Sequence, residues 1–92
     1  MTMDRAELKA LKEKTLRDLR RGLNFLTEIG VEEAPLVIGL HVTALGVLRR
    51  NKYLTAEELV EEIRKLYAAV EAAHPGKWEA LGGPRLPDTL TA

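Results

Sequence analysis

The stretch Leu36-Val37-Ile38-Gly39-Leu40-His41-Val42-Thr43-Ala44-Leu45-Gly46-Val47-Leu48 decides the fold. It contains no Asp, Glu, Lys or Arg, and its flanks read as helix ends. Pro35 stands where a first helical turn tolerates it, and Glu32 and Glu33 suit the positive end of a helix dipole. Arg49, Arg50 and Lys52 suit the negative end. A helix from Leu36 through Leu48, continuing to about Arg50, is therefore expected. Apolar side chains cover most of its circumference, leaving a narrow strip of Gly39, Thr43, Gly46 and Arg50 with little side chain. A helix apolar nearly all round must be buried.

Working outward, an amphipathic helix is expected on each side. The first starts at Asp4, whose carboxylate can cap free N–H groups, and runs to Ile29, with Gly30 as its stop. Leu8, Leu11, Leu16, Leu19, Leu23, Leu26 and Ile29 share one arc of it, and Gly22 is expected to bend it without breaking it. Thr55-Ala56-Glu57-Glu58 is a capping box that opens the third helix, with Leu54 and Leu59 as a hydrophobic staple. That helix continues to about His74, where Pro75-Gly76 stops it. Its inner arc is Leu59, Val60, Ile63, Leu66, Tyr67 and Val70. Its outer face carries Glu57, Glu58, Glu61, Glu62, Arg64 and Lys65, with Glu61 and Lys65 spaced to pair. Beyond it, Trp78 and Leu81 share one face of a short turn, and Gly82-Gly83-Pro84 and Pro87 extend the chain. The fold class is all-α. A three-helix bundle over residues 1–76 carries a Gly/Pro-rich C-terminal extension over 77–92.

The middle helix asks for more cover than two amphipathic neighbours supply. Burying one Leu or Val side chain is worth about 1.5–3 kcal/mol, so several left in water weigh heavily in a domain this small. A homodimer through Gly39, Val42, Thr43, Leu45 and Gly46 supplies the missing cover. The monomeric alternative folds the C-terminal extension back as a lid through Trp78, Leu81 and Leu86.

Composition narrows the function. With no cysteine, thiolate catalysis, disulfides and Cys-based zinc sites are excluded. Basic and acidic side chains balance at 14 each, which gives no global pull toward nucleic acid or an anionic membrane. The uncharged run is shorter than the roughly 20 residues a bilayer span requires. The charged N-terminal residues lack the apolar core of a signal peptide, so a cytoplasmic protein is expected. Ser and Gln are absent and charged residues are many, which suits a thermophilic source or a GC-rich genome with biased codons.

No catalytic constellation is visible, and neither a cofactor nor a metal is implied. His41 lies on an apolar arc without the carboxylate or second His that a metal or a base needs, so a core histidine bonded to a backbone carbonyl is expected. His74, at a helix C-terminus, reads as a cap. Glu57, Glu58, Glu61 and Glu62 read as a solvated face, because no Glu-x-x-His accompanies them. The leading expectation is a non-enzymatic helical interaction or accessory protein that self-associates. The alternative is a small nucleic-acid-binding or regulatory protein that uses Lys14, Arg17, Arg20 and Arg21 on the first helix, where acidic residues are interleaved and stacking aromatics are missing. A third idea makes Trp78, Leu81 and Leu86, with Pro84-Arg85-Leu86-Pro87 at polyproline spacing, a partner-binding tail.

Overall fold

Asp4 caps the first helix as its sequence predicts, its carboxylate accepting from the Glu7 N–H at 2.8 Å. The computed structural model describes residues 4–85, all-helical in their regular structure: α1 (Arg5–Gly22), α2 (Ala34–Arg50) and α3 (Ala56–Ala73). The expected helix to Ile29 is not continuous. At Gly22 the α-helix gives way to a 3-10 helix, Leu23–Thr27. Glycine is a weak helix former, and the Thr27 hydroxyl donates to the Asn24 carbonyl at 3.0 Å, a local bond that competes with the α ladder. The tighter winding turns Leu26 fully into the core and Phe25 out into solvent.

Pro35 sits in the first turn of α2, which ends in a Schellman arrangement. There the Tyr53 N–H donates to the Leu48 carbonyl, the Lys52 N–H donates to Arg49, and Lys52 takes φ 65°. The Thr55–Glu58 capping box of α3 is complete in both directions, at 3.1 and 2.9 Å. Leu54 is buried and Leu59 packs beside it, as the staple requires. The pairs on the outer face of α3 differ from expectation. Arg64 takes Glu61 at 2.9 Å, and Lys65 turns to Glu62 at 3.2 Å.

The core forms two clusters. Leu16, Leu45, Leu48 and Leu54 make one, at the α2–α3 connection. Leu26, Ala34, Ile38, Leu66, Val70, Trp78 and Leu81 make the other. The chain passes them in alternating order, so α1, α2 and α3 run up, down and up.

Residues 77–85 continue the fold past residue 76. The Gly83 N–H donates to the Trp78 carbonyl and the Gly82 N–H to Glu79, closing a single turn with Gly82 at φ 85°. Trp78 lies edge-on to Tyr67, ring centroids 5.2 Å apart, and its indole N–H donates to the Pro84 carbonyl at 2.9 Å. Trp78 and Leu81 are therefore core residues in the cluster with Leu66 and Val70; they do not cover the open side of α2 as the lid alternative asks, and are not exposed anchors for a partner. Leu86 lies outside the described residues.

α2 is left short of cover within the chain, as its apolar circumference predicts. Ala34, Ile38, His41, Leu45 and Leu48 are buried, but the opposite side is open. Leu36, Leu40 and Val47 are 67%, 63% and 40% exposed. Two neighbouring helices cover half of this helix and no more, because each is itself amphipathic and lies on the same side.

Candidate functional site

Three features could carry function: a buried polar layer, the open face of α2, and a cationic groove along α1. The polar layer lies between the two apolar clusters. Glu62 is buried, against its expected place on the solvated face of α3. Arg20 reaches across from α1 to grip it through Nε at 3.1 Å and Nη2 at 2.6 Å, and Lys65 adds a third contact. Burial pushes the Glu62 carboxyl up, but the hydrogen bonds and charges of Arg20 and Lys65 outweigh it and hold the group below its ordinary value. The same bond raises the Arg20 pKa.

His41 faces this layer from α2 and is lowered by burial, against the opposing pull of Glu62 and of the Leu19 backbone. Its Nε2 is buried and has no hydrogen-bond partner among the described residues. The backbone carbonyl bond expected for a core histidine is thus not made by that atom. His74 does make one: it is the C-cap of α3, its backbone N–H donating to the Val70 carbonyl, and its Nε2 donates to the Leu26 carbonyl at 3.1 Å, tying the end of α3 to the 3-10 helix.

The open face of α2 is a stripe of Leu36, Leu40, Thr43 and Val47, spaced four, three and four residues apart. This is the spacing of a coiled-coil seam. Gly39 and Gly46 lie beside the stripe, and a side chain built on either would meet nothing within 4 Å. On its other flank the stripe runs into an apolar groove of about 380 Å³, lined by Leu19, Phe25, Ile29, Val37, Leu40 and His41. Of the surface expected from sequence, Gly39, Thr43 and Gly46 lie here. Val42 is half-buried against the core and Leu45 is fully buried, so neither belongs to the surface. Leu36, Leu40 and Val47 replace them. Sequence reasoning placed the open surface along the small-residue strip instead, because where α1 and α3 dock on α2 is not visible in the sequence.

The basic residues divide. Arg20 is committed to Glu62, Lys14 pairs with Asp18 at 3.4 Å, and Arg21 stands 4.0 Å from the same carboxylate. Arg17 has no ion-pair partner among the described residues. Arg17, Arg20 and Arg21 line a groove of about 700 Å³ with Lys9, Lys12, Glu13, Leu16, Asn24 and Glu58, whereas Lys14 lies outside it. Lys12 bonds Glu58 at 2.7 Å across the groove, which lowers the Glu58 pKa.

Among the described residues no three His, Asp or Glu side chains gather as metal ligands, and no helix is long and apolar enough to cross a membrane. No protein-family model matches the chain, and neither a curated protein nor a solved structure matches it.

Proposed function

We propose that this is a small, non-enzymatic helical accessory protein of the cytoplasm that works as a homodimer, joined through the outer face of α2. The observation that carries this reading is the stripe of Leu36, Leu40 and Val47, three large apolar side chains left in water on one side of one helix. Contiguous apolar surface of this kind marks an interaction site in soluble proteins.

A second copy fits on three grounds. The heptad spacing lets α2 pack against its own twofold mate, with Thr43 at the middle of the stripe. The open space over Gly39 and Gly46 allows close approach. Two copies stacked on this face give α2 the second layer it lacks. α2 is about 25 Å long, and the apolar groove at Phe25 widens the face it offers.

Charge placed on the stripe tests the proposal. Leu40→Glu should dissociate the dimer while the monomer keeps its helical circular dichroism, because the side chain touches little within its own chain. A Leu40→Glu protein that elutes and sediments as wild type would defeat the proposal.

A further inference from the structure

We infer that the cationic groove along α1 binds single-stranded nucleic acid through its phosphates. The groove lies on other residues than the α2 stripe and is independent of the self-association proposed above. It follows α1 from Lys9 to Arg21, roughly 18 Å at 1.5 Å per residue, and reaches Asn24 of the 3-10 helix. Two cross-helix ion pairs, Lys12–Glu58 and Arg20–Glu62, brace α1 to α3 along it. Their charges cancel. What remains toward the ligand is Lys9, Arg17 and Arg21, opposed by Glu13 on the wall and by Asp18 at 4.0 Å from Arg21. Cations outnumber acids along the groove, a cleft of net positive charge concentrates anions, and arginine forks suit phosphate oxygens.

The lining also decides between polyanions. Leu16 is the single apolar residue along the groove, and it is buried. An acidic protein segment would need an apolar centre for its interface, whereas a phosphate chain is held by charge and hydrogen bonds alone. A flexible single strand can bend its phosphates into a groove of about 700 Å³, which a stiff duplex does less readily. No aromatic side chain lines it, so the bases stay outside and sequence preference is weak.

Anisotropy of a short labelled oligodeoxynucleotide of mixed sequence, titrated with the full-length protein, tests this. Three phosphate contacts predict a log–log salt slope near −2, so a tenfold rise in salt should weaken binding about a hundredfold. Arg17→Glu and Arg21→Glu should each weaken it about tenfold or more at low salt, whereas Lys14→Glu, the same charge change outside the groove, should stay within about twofold. Glu13→Gln should tighten binding more than Glu28→Gln does. If a glutamate variant loses helical signal, the Gln variant at that position replaces it. No binding at low salt, equal loss in Lys14→Glu, equal gain in Glu28→Gln, tighter binding of the corresponding duplex, or equal competition by polyglutamate would each overturn the assignment.

Discussion

A buried imidazole nitrogen without a partner costs about 1–3 kcal/mol, and His41 Nε2 is such an atom. Replacing the ring by an apolar side chain of similar size removes the cost, so His41→Leu should raise stability at neutral pH by about 1 kcal/mol, read from the urea midpoint. The substitution should also change the pH profile. Burial lowers the folded pKa of His41 below 6.5, so the unfolded chain takes up the proton first. Stability from this residue is complete above pH 6.5 and is lost as pH falls toward the depressed folded value. His41→Leu should flatten that part of the curve. It should leave the loss below pH 4.5, where Glu62, also held low in the folded state, begins to protonate. A variant curve parallel to wild type between pH 6.5 and 4.5 would exclude this role for His41. Lys52 offers a simpler case. Its φ of 65° is a conformation glycine adopts freely, so Lys52→Gly should stabilise by up to about 1 kcal/mol in the same titration.

At the scale of elements, the sequence is clearest where the chemistry is local. The Asp4 cap, Pro35 in the first turn of α2 and the Thr55–Glu58 box each need only neighbours in the chain, and all are formed. It is less clear where a distant partner decides. Glu62 reads as a surface acid because Arg20, forty-two positions away, is not visible in its own helix. Lys65 turns to Glu62 instead of Glu61 for the same reason. The α1 boundary fails differently: a leucine arc continues through Gly22, but the backbone tightens there to drive Leu26 inward. The terminal turn makes a prediction at this scale. A Cβ on Gly83 would stand 2.3 Å from the Trp78 ring, so Gly83→Ala must displace the indole from the core. Thermal unfolding should show a loss of about 1–3 kcal/mol, together with red-shifted tryptophan fluorescence. Unchanged fluorescence and stability would mean that the turn does not dock as described. α2 carries the companion contrast to Leu40→Glu. Leu45→Arg puts an unpaired charge into a fully buried site and should abolish folding, where the surface variant only separates the copies.

For the whole molecule, the open stripe of α2 is the feature that three helices leave unresolved. The 43 × 29 × 16 Å dimensions describe a slab with a core on one side of α2 and leucines in water on the other. The apolar face was legible in the sequence, but which part of it remained uncovered was not, since that depends on where α1 and α3 dock. The direct measurement is the molar mass of the native chain by light scattering across a range of concentrations. The expected mass is twice the 10.2 kDa of one chain at micromolar protein. A mass of 10.2 kDa at every concentration would contradict it.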